Sequence, residues 1–403
     1  MLKYGTRDED MNAWPPADPW MIGTLVFAAT LLLAVLLSAL SARSVLSASA
    51  LFLVVGFFCG AGGLGIIHLD VEQPLVQRFV ELALFSILFT DGMRVNRRML
   101  GAWRLPARAL VPGIPLTVLV IALFAHFVAG LDWLAAFLLG AALSPTDPVF
   151  AAAILGHESV PRRVRHLLNV ESGLNDGLAL PIVLVLLAMQ GGEASHGFAL
   201  VAELLGGVGI GVFVPWLALW LEKSPLFKSR ADVRPMLAVG VGLLVLSLTS
   251  LTQANSFLAA FTAGIFLGCA DEKLVASFHG MGELIADAFK FAALLVFAAL
   301  LTPALFADIG WAGCAFVLLA LVAARPIALA ISLAGTKLSR HEWLTAAWFG
   351  PRGFASVFFG LLILHAGGPD AQRIFHLLAV TVVASMIAHS STDVLVARSF
   401  VRP

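Results

Sequence analysis

The chain has 403 residues, of which 60% are hydrophobic and 12% charged, and its formal net charge is zero at neutral pH. Soluble domains carry about 45–50% apolar and about 25% charged residues, so a water-soluble fold could not hide this much apolar surface. A balanced charge supplies no global field for nucleic acid or an acidic partner, and Cys59, Cys269 and Cys314 sit in apolar blocks without metal-ligand spacing, as small buried hydrophobes.

Residues 1–19 mix acidic and basic side chains and lack the basic n-region of a cleaved signal, so they are predicted to form a short polar leader that ends on an interfacial Trp20. Apolar blocks of about 20 residues, long enough to span about 30 Å of hydrocarbon as helices, then follow one another between short polar or Gly/Pro-bearing connections. Thirteen spans are predicted, at 20–40, 46–67, 75–93, 107–129, 132–155, 163–190, 197–221, 233–251, 254–270, 286–305, 309–333, 342–366 and 374–396, with a tail at 397–403.

The loops after odd-numbered spans hold most of the basic residues: Arg43; Arg94, Arg97, Arg98, Arg104 and Arg108; Arg162, Arg163 and Arg165; Lys223, Lys228, Arg230 and Arg234; Lys273; Lys337 and Arg340; Arg398 and Arg402. The other face keeps only Lys3, Arg7, Arg78 and Arg373. Positive charge stays on the cytoplasmic side, which puts the N-terminus outside and the C-terminus inside. Lys290 is expected near the cytoplasmic end of the tenth span, where its long side chain snorkels. Asp91 and Asp287 lie near predicted helix ends, and Glu81 and Glu203 lie in spans without a break or an oxygen cluster beside them, so all four are assigned no role.

The fifth span carries Ser144-Pro145-Thr146-Asp147-Pro148 in its middle, and the twelfth carries Gly350-Pro351-Arg352-Gly353. Proline removes a backbone donor and clashes with the preceding turn, and glycine tolerates irregular dihedrals, so both helices should unwind there. With the seventh span as a linker, each broken helix is the fifth of a six-helix half, and the two run in opposite directions. That is an inverted repeat, in which matched interruptions mark a midplane binding site. Unwound backbone at that depth is tolerated only inside protein or against water.

The sixth span holds Glu171-Ser172-Gly173-Leu174-Asn175-Asp176. An acid at the bilayer centre costs roughly 2.5–3.5 kcal/mol on insertion scales and marks an ion pathway or proton relay. Glu171 and Asn175 share one helical face, and Ser172 and Asp176 the adjacent one, so carboxylate, hydroxyl and amide oxygens gather as a hard alkali cation requires. Burial disfavours the charged carboxylate and a cation alongside favours it, so proton and cation compete for Asp176. If the site reorients when protonated or cation-bound but not when empty and charged, the two flows are coupled. Arg325 is assigned to Glu171 as a buried pair, structural or functional, and Arg352 to neutralising the break near Asp147.

These motifs resemble the cation/proton antiporter 1 family, the group of NhaP-type and NHE-type sodium/proton exchangers. The strings that carry the likeness are Ser-Pro-Thr-Asp-Pro-Val at 144–149, Glu-Ser-Gly-Leu-Asn-Asp-Gly at 171–177, Ala-Arg-Pro at 324–326 and Gly-Pro-Arg-Gly at 350–353. The resemblance implies an all-α polytopic membrane protein with crossed discontinuous helices 5 and 12. It implies a mobile core (about 107–190 and 309–396) and a dimerisation scaffold (about 20–93 and 197–305) within one transporter unit at 20–396, assembled as a homodimer in the bacterial inner membrane. Asp176 is then the ion-binding aspartate, the Thr146 backbone, Ser172 and water complete the coordination of transported sodium or lithium, and Asn175 and Asp147 hold the crossed helices. The Asn-Asp pair implies one cation per proton. Phe289-Lys290 resembles potassium-efflux relatives of a sister family, which keeps potassium as the alternative cation. No resident cofactor is expected, and the short tail predicts no cytoplasmic regulatory domain.

Two further readings start from the same residues. Asp147 and Asp176 on adjacent helices could share a proton as an intramembrane aspartyl protease pair, although neither lies in a Tyr-Asp or Gly-x-Gly-Asp context. A channel would also use paired breaks, but would conduct without proton coupling.

Overall fold

The computed structural model describes residues 19–38, 48–67, 73–95, 103–147, 154, 156–190, 197–224, 226–227, 229–230 and 232–400. Among the described residues there is no strand. The helices are α1 (Pro19–Leu36), α2 (Ala48–Cys59), α3 (Pro74–Arg94), α4 (Arg104–Leu110), α5 (Gly113–Phe127), α6 (Trp133–Leu143), α7 (Arg162–Gln190), α8 (Gly197–Glu222), α9 (Pro235–Thr252), α10 (Ser256–Ala270), α11 (Glu272–Ala299), α12 (Ala304–Leu319), α13 (Arg325–Ser332), α14 (Arg340–Trp348), α15 (Phe354–Ala366) and α16 (Ala371–Ser399). Among the described residues, six helices are each long and apolar enough to cross a membrane. Large apolar side chains point outward, as lipid contact requires and water would not allow: Trp311 is 93% exposed and Phe198 88%. Cys314 belongs to this outward set and is exposed, which corrects the expectation that all three cysteines are buried: an apolar stretch that faces lipid needs no burial inside the protein.

Both interruptions read from the sequence are present. α6 ends at Leu143, and residues 144–147 follow without helical structure. Pro148 and the next five residues lie outside the described residues, as do residues 1–18 of the expected leader and residues 401–403 of the tail. α14 ends at Trp348, residues 349–353 are irregular, and α15 starts at Phe354. Between α12 and α13 the chain widens into a π turn at Ala320–Ala324, immediately before Arg325. Such turns displace the residues that follow them around the helix axis and are frequent at functional sites.

The tenth predicted span requires correction. Hydropathy predicts a helix at 286–305 with the charged stretch before it as a loop, whereas α11 runs from Glu272 to Ala299. Asp271 caps it, accepting hydrogen bonds from the Lys273 and Leu274 backbone N–H groups at 3.0 and 2.9 Å. Leu274, Phe278, Gly282, Ala286 and Lys290 are buried, a stripe with a step of four that an amphipathic helix turns inward. Lys290 is therefore well inside α11 and 5% exposed, not at a membrane surface where it could snorkel.

The packing forms two groups. α3 lies along α10, flanked by α8 and α9, while α2 packs on α11. The α3–α10 crossing is close because a Cβ at Gly264 would collide with the Phe89 carbonyl, and one at Gly92 would meet the Phe261 carbonyl at 2.5 Å. In the second group α5 packs on α6 and α13, α6 on α7, and α15 on α16. α7 and α15 face α3, α10 and α11 across the seam between the groups, and the two breaks lie on the α7/α15 side of it.

Candidate ion-binding site

The two breaks touch. The Asp147 N–H donates to the Pro351 carbonyl at 2.8 Å, and the Asp147 carboxylate accepts from the Phe354 N–H, the first of α15, at 3.1 Å. A negative charge there satisfies an orphan donor and faces the positive end of the helix. Gly353 makes this approach possible, since a Cβ would overlap the Asp147 side chain. Arg352 is buried and donates to the Ser144 and Pro145 carbonyls at 2.9 and 3.4 Å, while its own backbone N–H donates to Ser385 Oγ at 2.8 Å. The guanidinium thus neutralises the carbonyl end of α6, and Asp147 serves the N–H end of α15: each break end receives the opposite charge.

Against this crossing lies α7. The Asn175 amide donates to Thr146 Oγ1 at 2.7 Å and to the Thr146 carbonyl at 3.2 Å, and Thr146 Oγ1 lies 3.3 Å from Ser172 Oγ. Glu171, one turn before Asn175, is 4% exposed and bound by two guanidinium nitrogens of Arg325, at 2.5 and 2.9 Å. Arg325 Nε donates to the Ala346 carbonyl at 3.0 Å, and its side chain fills the space above Gly350, where a Cβ would collide with it. One arginine thereby ties α7, α13 and the second break together.

A cavity of about 410 Å³ opens beside α7. Asp147, Ser172 and Asp176 line it, while Thr146 and Asn175 are not among its lining residues. Asp176 Oδ1 and Asn175 Oδ1 are both buried without a hydrogen-bond partner. A buried polar atom without a partner costs free energy, and on Asp176, which lines the cavity, a cation or a proton would satisfy it.

The structure adds residues to this cavity that the sequence reading leaves without a role. Lys290 lines it, as do Asp91, Arg94, His279 and Glu283. Arg94 bridges Asp91 at 3.1 Å and Glu283 at 2.9 Å, and His279 lies 3.2 Å from Glu283. The Lys290 ammonium stands 5.8 Å from the centre of the Phe354 ring. A signal for them exists in the spacing: His279, Glu283, Asp287 and Lys290 recur at steps of four, four and three, one face of a helix. Acids outnumber bases around the cavity, which favours a cation.

A match to the family described as "Sodium/hydrogen exchanger, transmembrane" covers residues 27–398. The chain is 28% identical over 387 residues to a protein of a Shewanella species named K(+)/H(+) antiporter NhaP2, covering 94% of this chain and 66% of that one. It is 27% identical over 373 residues to K(+)/H(+) antiporter NhaP of Alkalimonas amylolytica, covering 90% and 64%. The chain therefore spans about two-thirds of the length of these relatives. The fold is similar to that of the sodium proton antiporter MjNhaP1 from Methanocaldococcus jannaschii, with a TM-score of 0.80 at 18% identity over 96% of this chain and 100% of that one. A match over almost the whole chain, on the fold and motifs described above, means that this chain belongs to the sodium/hydrogen exchanger family of membrane proteins.

Proposed function

We propose that this protein exchanges a monovalent alkali cation for protons, with Asp176 as the group for which the two compete. The observation that carries the reading is Asp176 on the wall of a cavity rich in acids, its buried Oδ1 lacking a hydrogen-bond partner. A cavity of about 410 Å³ is large enough for several waters and a partly hydrated ion. Ser172 and water supply further oxygens, and Thr146, whose hydroxyl is engaged by Asn175 and Ser172, acts by fixing them. Exchange needs no resident cofactor and no covalent step. Membership of an exchanger family sets the protease and channel alternatives aside.

In this reading α5–α7 with α12–α16 form the mobile core, and α1–α3 with α8–α11 the scaffold. Arg94, His279 and Glu283 mark the cytoplasmic mouth, with the N-terminus outside. The exposed apolar faces of α1 and α8 support lipid contact and a homodimer interface on the scaffold. Sodium or lithium is the cation that the motif resemblance supports. Potassium is the second reading, favoured by the names of the two bacterial relatives matched over most of the chain.

The test is exchange in proteoliposomes with a preset pH gradient and an internal pH dye, adding sodium, lithium, potassium or choline in turn, with and without a potential clamp. Proton movement with sodium and lithium but not choline, unaffected by the clamp, supports electroneutral sodium/proton exchange. A potassium-only response selects the second reading, and no response to any cation overturns both.

A further inference from the structure

The second break is gripped from the side by α16. Three polar residues of that helix, Ser385, His389 and Thr392, follow one another at steps of four and three, which places them on one face. All three reach the break. Ser385 Oγ takes the Arg352 backbone N–H at 2.8 Å, His389 Nε2 lies 2.9 Å from the Trp348 carbonyl, and Thr392 Oγ1 accepts from the Trp348 indole N–H at 3.0 Å. Ser385 and His389 are buried, at 0% and 2% exposed, and neither has a part in the ion competition at Asp176.

The hydrogens on His389 follow from its partners. A carbonyl only accepts, so Nε2 carries a hydrogen and donates it to Trp348 whether the ring is neutral or charged. Nδ1 faces Ser385, with the hydroxyl at 3.1 Å and the carbonyl at 2.7 Å, and stays anchored on α16 either by accepting from the first or by donating to the second. The tautomer with its one hydrogen on Nδ1 is excluded, because it would set the Nε2 lone pair against the Trp348 carbonyl. The ring therefore bridges α16 to the last residue of α14, whose carbonyl would otherwise be one of the orphan acceptors of a helix end. A packed and satisfied core histidine is the plain reading, and the 5.0 Å contact between the His389 and Trp348 rings fits it. Packing alone does not require that Ser385 and His389, one turn apart, hold residues 352 and 348 on the two sides of Pro351.

We propose that His389 is a positioning residue of the ion site: with Ser385 it fixes the spacing between Trp348 and Arg352, and so the place from which Arg352 reaches the first break. The proposal rests on the exchange reading of Asp176. Arg352 is held at its backbone by Ser385 and at its guanidinium by the Ser144 and Pro145 carbonyls. The next residue, Thr146, meets Ser172 and Asn175 on α7, and Ser172 lines the cavity beside Asp176. Without the Nε2 tether, residues 349–352 draw back from the end of α6 and the guanidinium leaves the two carbonyls. Thr146 then loses its place against α7, and the oxygens beside Asp176 lose the spacing that a cation needs, a loss that small displacements suffice to cause.

Cation-driven proton movement by the full chain in proteoliposomes, with sodium, lithium and potassium titrated separately, tests this on two variants. His389→Leu fills the space without a donor, and His389→Gln keeps an amide N–H that reaches toward the Trp348 carbonyl. For the cation that drives exchange in the wild type, His389→Leu should raise the apparent KM about two- to tenfold, the weight of one hydrogen bond, with a smaller change in maximal rate, and His389→Gln should recover most of the shift. A lower thermal midpoint with an unchanged KM makes the ring a packing group and overturns the proposal, as does a glutamine variant no better than the leucine one. Should His389→Leu not fold, Ser385→Ala carries the test: it removes the acceptor of the Arg352 N–H, and an unchanged KM for it overturns the proposal equally. Nitrogen magnetic resonance of protein labelled in its histidines, with the His389 signal identified by its loss in His389→Gln, reads the tether without transport. Nε2 should carry a hydrogen, and a bare Nε2 overturns the tether. A wild type that moves protons with no cation removes the exchange reading, while this signal still decides whether the tether exists.

Discussion

Arg325→Ala should be among the most damaging single substitutions in this chain, through stability before transport. The perturbation removes both hydrogen bonds to Glu171 and the bond to the Ala346 carbonyl, and leaves a carboxylate that is 4% exposed without its counter-charge. Breaking a buried ion pair from one side costs about 3–5 kcal/mol, which is roughly a 10²- to 10³-fold or greater change in the folding equilibrium. The assay is the thermal midpoint and the folded fraction of the detergent-purified protein, measured for Arg325→Ala, Glu171→Gln and the double variant Glu171→Gln/Arg325→Met. The double variant should recover much of the loss, because replacing both members by neutral groups removes the uncompensated charge. A loss of less than about 1 kcal/mol for Arg325→Ala, the range of an exposed pair, would refute the reasoning, as would losses that simply add in the double variant.

Three further outcomes follow from the same geometry. Asp176→Asn should leave folding intact and abolish cation-driven proton movement in proteoliposomes; full exchange by this variant would end the competition mechanism. Thr146→Val deletes the hydroxyl that takes Asn175 Nδ2 at 2.7 Å, and should destabilise by about 1–3 kcal/mol, the cost of a buried polar group that loses a partner, read as a lower thermal midpoint. Gly177→Ala places a Cβ on the Phe261 ring, so α7 must shift against α10. A loss of about 1–3 kcal/mol is expected from overpacking, together with slower exchange, and a variant with wild-type midpoint and rate would show that this contact yields freely.

Much of the site is legible in the chain because burial in a membrane leaves few alternatives. Two prolines in Ser144–Pro148 cannot continue a helix, and the glycines around Pro351 and Arg352 cannot hold one firmly, so the interruptions can be placed from the chain alone. Glu171 and Arg325 can be paired from sequence because a buried charge without an opposite one is too costly to keep. The touching of Thr146, Ser172 and Asn175 is implied only by resemblance, since nothing in spacing says that residue 146 meets residue 175.

What the sequence by itself determined is the helical membrane class, the two breaks and the presence of a carboxylate within the sixth span: each follows from the cost of polar groups in hydrocarbon, a property of residue type and position along the chain. Only the tertiary structure decided which face of each helix lines the cavity. Hydropathy treats the charges before Lys290 as a surface loop, yet α11 includes them and turns His279 and Glu283 toward the cavity beside Asp176. The same holds for Asp91 on α3, which pairs with Arg94 nearby in the chain and lines the same cavity as Asp176 and Lys290. A one-dimensional scale has no term for a cavity inside the fold, and that cavity is what brings these charged side chains together.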